Sequence, residues 1–178
     1  MDAYYDTGTL VPLYVEEAFS STINAWVTSR VEPIPLNQFQ RLELENAMRQ
    51  KMFRGEIDEE RLTRILTDVG EDLERGRLVL RPANWINALD QARSIGERVT
   101  VKTGCRTLDL IHVAIAAQWG CPVFVSADER QLAAAKMQGL RAVDVRDLHR
   151  RRGGDQAGPR SVRESPPRYR ATRRVRAG

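Results

Sequence analysis

Short apolar segments alternate with longer segments of helical character along the first 150 residues of the chain. The apolar segments predict strands at 2–6, 33–36, 78–80, 121–125 and 140–145. The spacing of apolar residues between them predicts helices at 9–16, 20–28, 38–51, 57–75, 85–96, 107–119 and 128–137. Strands that alternate with helices favour parallel pairing, because each crossover returns the chain in the same direction. The sequence therefore predicts an α/β sandwich with a mostly parallel central sheet flanked by helices.

The composition changes near the end of the chain. Residues 151–178 contain nine arginines, two acidic residues and few large aliphatic side chains. This segment has a net charge of +7 and the whole chain has +4, so residues 1–150 carry −3. A segment with so little apolar surface cannot offset the entropy lost on ordering. We therefore predict one domain at 1–148 and a disordered arginine-rich tail at 149–178.

The cysteines and the N-terminus restrict the class of protein. Cys105 and Cys121 have neither CxxC spacing nor a nearby histidine cluster, which argues against structural zinc and against a disulfide framework. The N-terminus lacks a basic segment followed by an apolar run, and no stretch is long enough to cross a bilayer. We therefore expect a soluble cytoplasmic protein that does not act at a membrane.

Acidic residues follow strands or begin helices at three places. Asp6 ends the first strand and Asp128 follows the strand at 121–125, so both lie at the carboxyl edge, where open α/β sheets bind ligands. Asp109 lies at the start of the helix at 107–119. Converging carboxylates repel one another unless a cation neutralises them, so this placement predicts a metal site.

Two of these acids also have a simpler explanation. Asp109 and Asp128 each follow a Ser or Thr by two residues at a helix start, where an acid complements the helix dipole. Ser126 and Glu129 also match the pattern of a capping box. We expect that stabilisation of a helix end explains neither Asp6 nor the similar placement of all three acids.

Two glutamates in the helix at 38–51 project from different sides. Glu45 lies one turn from both Arg41 and Arg49, so i,i+4 ion pairs satisfy it at the surface. Glu43 projects from within the apolar arc, where an acid without a partner is costly. The arc consists of Phe39, Leu44, Ala47 and Met48, with Leu42 at its margin. Glu43 is therefore the fourth candidate ligand.

Other polar residues are weaker candidates. Asp144 in the last strand is a lesser ligand candidate, and the acids at 56–60 and 71–74 are interleaved with arginines on solvated helix faces. His112 lies on the most apolar helix, where we expect a hydrogen-bonded core residue rather than a ligand. His149 is assigned to the tail.

The four acids Asp6, Glu43, Asp109 and Asp128 offer only oxygen ligands, which favour Mg²⁺, with Mn²⁺ as the alternative, over zinc. Such an ion lowers the pKa of bound water and stabilises the oxyanions of an in-line phosphoryl displacement. An acidic cluster repels a phosphodiester unless the metal is bound. We therefore predict a strictly metal-dependent reaction.

Segments around these acids resemble, in order and spacing, the motifs of PIN-domain proteins of the VapC toxin type. In one-letter code they are YDT at 5–7, LVPLYVEE at 10–17, LELENAM at 42–48, LDLIHVA at 108–114 and SADERQ at 126–131. The resemblance covers about residues 1–148. It implies a PIN-like three-layer sandwich and a Mg²⁺-dependent endoribonuclease whose acidic site is Asp6, Glu43, Asp109 and Asp128.

The resemblance also implies separate roles for these acids. Asp6 and Asp109 would be the main metal ligands, and Asp128 would hold the ion directly or through water. Glu43 would orient or deprotonate the attacking water. The expected products carry a 5′-phosphate and a 3′-hydroxyl. Gly8 is a departure, because the family usually has Ser or Asn there, and we expect looser contacts near Asp6.

The implied substrate is a structured RNA with an exposed single-stranded loop. The implied partners are a VapB-type antitoxin encoded alongside and a second copy of the chain in a homodimer. Promoter DNA would be contacted only through the antitoxin. The arginine-rich tail is expected to contribute at most non-specific contacts to RNA phosphates.

Two other functions are open at this point. One is a catalytically weak PIN-like module that acts as a co-repressor with its antitoxin, although the presence of all four acids argues against it. The other is a housekeeping RNA-processing or structure-specific DNA nuclease. The small size of the chain and the lack of an added recognition domain argue against that function.

Overall fold

Five strands and eight α-helices alternate along residues 3–151, which are the residues that the computed structural model describes. The strands are β1 (Ala3–Tyr5), β2 (Ile34–Leu36), β3 (Leu78–Leu80), β4 (Val123–Ser126) and β5 (Arg141–Asp144). The helices are α1 (Thr7–Leu10), extended by a 3₁₀ turn at Val11–Leu13, α2 (Ser20–Thr28), α3 (Gln38–Phe53), α4 (Glu59–Glu74), α5 (Trp85–Thr103), α6 (Thr107–Gln118), α7 (Glu129–Met137) and α8 (Val145–Arg151). None of the helices in this range has the length and apolar character that a membrane crossing requires. The predicted α/β class is confirmed.

All strand pairs within residues 3–151 are parallel, but they belong to two separate sheets. β4 lies between β1 and β5, with Tyr4 opposite Phe124 and Phe124 opposite Ala142. β2 pairs with β3, with Pro35 opposite Val79. The predicted parallel pairing is confirmed, whereas the single central sheet is replaced by a three-stranded and a two-stranded sheet.

A side chain occupies the edge of β1 that faces away from β4. Asp6 N donates to Val125 O at 3.1 Å, and because backbone groups alternate along a strand, the carbonyl of Tyr5 points to the opposite edge. Gln40 Nε2 donates to that carbonyl at 2.6 Å. Gln40 is fully buried, so this bond satisfies a β1 acceptor without a neighbouring strand and ties β1 to the first turn of α3.

Helices cover both faces of the three-stranded sheet. Ala3 and Tyr5 belong to the hydrophobic cluster shared with α2, α3 and α4, whereas Tyr4 belongs to the cluster shared with α5, α6 and α7. β4 divides in the same way, since Val125 and Phe124 belong to different clusters. Side chains alternate between the faces of a strand, so β1 and β4 are buried on both sides.

α5 continues past Gly96, where the sequence predicts its end, to Thr103. A Cβ on Gly96 would lie 3.0 Å from Leu110 Cδ1, so this glycine allows α5 to pack closely on α6. The helix ends instead at Gly104, whose φ of 67° is the left-handed conformation that favours glycine at a C-cap.

The last described element is a helix that the sequence does not predict. α8 runs past the predicted domain boundary at 148 and ends at Arg151. His149 Nδ1 lies 2.8 Å from Thr22 Oγ1 on α2, and its ring contacts Phe19. His149 therefore packs on the domain, contrary to its assignment to the tail. The rest of the predicted tail, 152–178, lies outside the described residues.

Candidate functional site

Asp6 lies directly after β1 and is almost completely buried, with 4% of its surface exposed. Its Oδ1 accepts hydrogen bonds from Thr9 N at 2.7 Å and from Thr9 Oγ1 at 2.5 Å. Its Oδ2 accepts a hydrogen bond from Ser126 Oγ at 2.5 Å. Burial raises the pKa of Asp6 above its ordinary value of 3.8, although the bonds from Ser126 and Thr9 lower it. The hydrogen bonds from these hydroxyls thus partly offset the free-energy cost of burying the charged carboxylate.

Asp6 is also the N-cap residue of α1, because its bond from Thr9 N is the usual N-cap bond. The expectation that helix-end stabilisation does not extend to Asp6 is therefore wrong. A Cβ on Gly8 would lie 3.7 Å from both carboxylate oxygens of Asp6, which is an ordinary contact. Thr9 supplies a hydroxyl donor, so the glycine at position 8 does not leave Asp6 without side-chain contacts.

Asp128 is the N-cap residue of α7, and its Oδ1 accepts from Arg130 N at 2.8 Å. The sequence predicts a capping box between Ser126 and Glu129. Instead, Ser126 Oγ donates to Asp6 and accepts from Asp128 N at 2.9 Å. The capping-box prediction is therefore wrong, and Ser126 links two of the four candidate acids.

Gln131 links Asp128 to Asp109. Its backbone N donates to Asp128 Oδ1 at 3.3 Å, and its Nε2 donates to Asp109 Oδ1 at 3.0 Å. Asp109 Oδ2 accepts from Arg106 N at 2.9 Å, so Asp109 also stabilises the start of α6. Gln131 is 7% exposed, and its Oε1 has no hydrogen-bond partner among the described residues. This amide oxygen is a further hard donor, on a side chain that contacts Asp109.

Glu43 is half-buried, and its Oε2 accepts a hydrogen bond from Thr7 Oγ1 at 2.5 Å and lies 2.8 Å from His112 Nε2. His112 is 3% exposed, and its Nδ1 lies 2.9 Å from the hydroxyl of Tyr4. Burial raises the pKa of Tyr4 well above its ordinary value. His112 is thus a hydrogen-bonded core residue, as its position predicts, but it contacts a candidate catalytic acid.

Glu45, two residues further along α3, has the arginine partners that its helical phase predicts. Arg41 Nε and Arg49 Nη2 lie 2.8 and 3.4 Å from its carboxylate oxygens. The hydrogen bond from Arg41 is the main cause of the lowered pKa of Glu45. The predicted arginine partners of Glu45 are confirmed, whereas the predicted contrast in exposure is wrong, because 23% of each glutamate side chain is exposed. The two acids differ in their partners, since Glu43 contacts Thr7 and the buried His112.

Intermediate side chains connect three of the acids. Ser126 bridges Asp6 to Asp128. Gln131 bridges Asp128 to Asp109, while the fourth acid lies on a separate branch. Within residues 3–151, no three His, Cys, Asp or Glu side chains form a group spaced to hold a metal ion. The donor atoms are all hard oxygens and one carboxylate is buried, so the chemistry of the set fits Mg²⁺ or Mn²⁺.

Asp144 repeats at the end of β5 the arrangement of Asp128 after β4. In both cases the arginine two residues later donates its backbone N–H and its guanidinium to the carboxylate. Arg130 Nη2 lies 2.9 Å from Asp128 Oδ2, and Arg146 Nη2 lies 2.6 Å from Asp144 Oδ2. These arginines lower the pKa values of both acids. Asp144 is neutralised by its own arginine and stays a weaker ligand candidate.

Replacing Arg130 by Gln is expected to raise the pKa of Asp128. The side-chain hydrogen bonds from Arg130 are the main cause of the lowered value, and glutamine removes the charge while keeping the backbone donor. The pKa is measured from the ¹³C shift of the Asp128 carboxyl during a pH titration. Arg146→Gln is the matched control, which should raise the pKa of Asp144 and leave that of Asp128 unchanged. An unchanged midpoint for Asp128 in Arg130→Gln contradicts the pairing.

Three contacts of the site are not identified by the sequence reasoning above. Thr9 follows Asp6 by three residues, and Gln131 follows Asp128 by three, which is the spacing of N-cap partners. A search for caps at these two acids would have found both. Tyr4 meets His112 across 108 residues, and no local pattern indicates that contact.

No protein-family model matches the chain, and no curated protein matches its sequence significantly. The resemblance to PIN-domain toxins rests on the short segments around Asp6, Glu43, Asp109 and Asp128. Function is therefore inferred from those residues and their contacts.

Proposed function

We propose that the protein is a Mg²⁺-dependent endoribonuclease with a PIN-like three-layer fold, acting as the toxin of a type II toxin–antitoxin pair. The observation that carries this proposal is the buried carboxylate of Asp6 after β1, which accepts from the Ser126 hydroxyl. The same hydroxyl accepts from the backbone N–H of Asp128. Parallel α/β sheets bind their ligands at this edge. A buried acid there is costly, and a bound cation would remove that cost.

Asp6, Asp109 and Asp128 would hold the ion. Bound Mg²⁺ would supply a more acidic water ligand and stabilise charge on the phosphoryl oxygens. Thr9 and Ser126 each donate to one oxygen of Asp6, which keeps its carboxylate in one orientation. Groups fixed in this way need little reorganisation when charge develops in a transition state.

Glu43 is placed to orient the attacking water or to accept its proton. Thr7 and His112 both contact its carboxylate at Oε2. Oε1 is therefore the oxygen that would face a nucleophile. The half-buried position of Glu43 would let a bound substrate exclude further water from it.

The proposed substrate is a structured cellular RNA that exposes a single-stranded loop, because sequence-specific recognition of RNA usually targets such loops. The proposed partners are a VapB-type antitoxin and a second copy of the chain. Promoter DNA would be contacted through the antitoxin, and the reaction would take place in the cytoplasm. These assignments follow the resemblance of the four acidic segments.

Glu43→Gln is expected to lower Mg²⁺-dependent RNA cleavage on the order of 10²–10³-fold, because glutamine keeps the shape of the side chain but cannot accept a proton. Glu45→Gln is the matched control on the same helix. It should keep full activity, since the partners of Glu45 are surface arginines. Cleavage is measured with purified protein on total cellular RNA, by sequencing the 5′ ends produced.

Removal of the metal provides a second arm of this experiment. EDTA should abolish cleavage by the wild type, Mn²⁺ should restore it, and expression of the wild type should arrest growth. Cleavage that persists in EDTA, or equal losses in the two glutamate variants, contradicts the proposal. A protein that cuts no RNA but strengthens antitoxin binding to promoter DNA would be a co-repressor instead.

A further inference from the structure

A continuous series of buried polar contacts leads from the interior of the domain to Glu43. Asn37 Nδ2 donates to the hydroxyl oxygen of Tyr4 at 3.4 Å, and that hydroxyl lies 2.9 Å from His112 Nδ1. His112 Nε2 lies 2.8 Å from Glu43 Oε2. Asn37, Tyr4 and His112 are 1%, 0% and 3% exposed, so bulk water does not compete for these bonds.

The donors of this series point in one consistent direction. Asn37 Oδ1 accepts from Gln40 N at 2.8 Å, which orients the amide so that its Nδ2 faces Tyr4. A phenol keeps its proton at neutral pH, and a buried hydroxyl needs an acceptor for it. The amide Nδ2 of Asn37 is a donor, whereas His112 Nδ1 can accept, so the hydroxyl of Tyr4 donates to His112 Nδ1. An imidazole that accepts at Nδ1 carries its proton at Nε2 and donates it to Glu43.

Aromatic packing holds the donor atoms in place. The ring of Tyr4 stacks on Phe124 with 5.5 Å between centroids and an angle of 8° between planes. Trp119 lies 5.5 Å from Tyr4 on another side, and Phe39 lies 5.0 Å from the ring of His112. Rings packed in this way cannot turn without opening the core. The Nε2 of His112 therefore has a fixed position and direction.

We infer that Tyr4 and His112 are positioning residues that hold the carboxylate of Glu43 in one orientation for the reaction. This inference rests on the proposed function, because it gives the orientation of Glu43 a catalytic use. Thr7 holds the same oxygen of Glu43 at 2.5 Å, so turning the carboxylate would break that hydrogen bond and the contact with His112. Loss of the Tyr4 hydroxyl should therefore affect the chemical step, although Tyr4 itself lies in the core.

The direction of the hydrogen bonds between Tyr4, His112 and Glu43 is tested in metal-free protein. Two-bond ¹H–¹⁵N correlation spectra of the imidazoles separate both neutral tautomers and the imidazolium. The chain has two histidines, and His149→Gln assigns the spectrum by removing one set of signals. The expected result is a neutral His112 with its proton on Nε2. A proton on Nδ1, alone or in addition, overturns the inference.

The positioning role is tested by the kinetics of Tyr4→Phe. Loss of the hydroxyl is expected to lower kcat roughly fivefold to tenfold, the effect of one hydrogen bond, with KM unchanged. Tyr14→Phe is the matched control, since Tyr14 is also buried but donates its hydroxyl to Asp72 at 3.0 Å. Its kcat should equal that of the wild type. Full kcat in Tyr4→Phe refutes the positioning role.

A double substitution separates this series from a general loss of packing. His112→Asn is expected to lower kcat roughly 10²-fold, the loss that follows misplacement of a reacting group. Tyr4→Phe should add nothing in that background, because the connection to Glu43 is already broken. Additive losses overturn the inference. If His112→Asn does not fold, the spectra and the Tyr4→Phe kinetics still decide it.

Failure of the proposed function has a different outcome. Wild-type protein that cuts no RNA with Mg²⁺ or Mn²⁺ refutes the nuclease proposal and, with it, the catalytic use of Glu43. An active wild type with an unaffected Tyr4→Phe variant refutes only the positioning role.

Discussion

Asp6→Asn is expected to abolish Mg²⁺-dependent RNA cleavage and, in metal-free protein, to raise the unfolding temperature. Asparagine keeps the shape of the side chain and an oxygen that accepts from Thr9, but it removes the charge that would hold the ion. We expect activity to fall on the order of 10²–10³-fold or more, as when one fixed electrostatic group is removed.

The gain in stability follows from the burial of Asp6. Burial raises its pKa above 3.8 in the folded state, so the folded protein binds this proton more tightly than the unfolded chain does. The stability of the wild type is therefore highest while Asp6 is protonated and falls as the pH rises through its folded pKa. Asparagine does not titrate. At neutral pH the variant should unfold about 2–4 °C higher, the shift that corresponds to about 1 kcal/mol in a chain of this size, and the difference should shrink near pH 4.

Thermal unfolding with and without Mg²⁺ separates the two effects. Mg²⁺ should raise the unfolding temperature of the wild type, because it would bind the folded state, and should leave that of Asp6→Asn unchanged. Asp144→Asn is the matched control, since Asp144 lies at the end of β5 in the same sheet and is paired with Arg146. It should keep both activity and the response to Mg²⁺. An equal response in Asp6→Asn would exclude Asp6 as a metal ligand.

Phe124→Ala is expected to lower the free energy of unfolding by about 3–5 kcal/mol. Phe124 is fully buried in β4, the central strand of the three-stranded sheet, and its ring stacks on Tyr4. Truncation would leave a cavity between β4 and the helices of that face, in addition to removing buried apolar surface. Such a loss is a large fraction of the roughly 5–15 kcal/mol that stabilise a typical protein.

Urea denaturation followed by circular dichroism measures this loss. Phe53→Ala is the matched control, because the side chain of Phe53 is 92% exposed. Its free energy of unfolding should stay within about 0.5 kcal/mol of the wild type. Similar values for the two variants would contradict the placement of Phe124 in the core.

Features that depend on neighbours within one or two helical turns are predictable from the sequence. Glu45 pairs with Arg41 and Arg49 on the same helix, so its partners follow from spacing alone. Glu43 is separated from it by about 200° around the helix, which directs it to the apolar side. The start of α4 at Asp58, whose side chain accepts from Arg61 N, is predictable for the same reason.

Features that depend on packing between distant segments are not predictable in this way. Gly96 is of a residue type common at helix ends, but its role is set by Leu110 on the neighbouring helix. Ser126 fits a local capping box with Glu129, yet its hydroxyl is taken by Asp6, 120 residues away. In each case a tertiary contact overrides a local preference of about 1 kcal/mol.

By itself, the sequence determined the α/β class, the acids after β1 and β4, and the arginine partners of Glu45. Each of these depends on periodicity or on residues close along the chain. Only the tertiary structure decided that β2 leaves the three-stranded sheet and which side chains join the acids. The physical reason is that these contacts form where separate elements pack together, and no local period encodes the partner that packing brings. The connection from Tyr4 through His112 to Glu43 is the clearest example, since it crosses from β1 to α6 and back to α3.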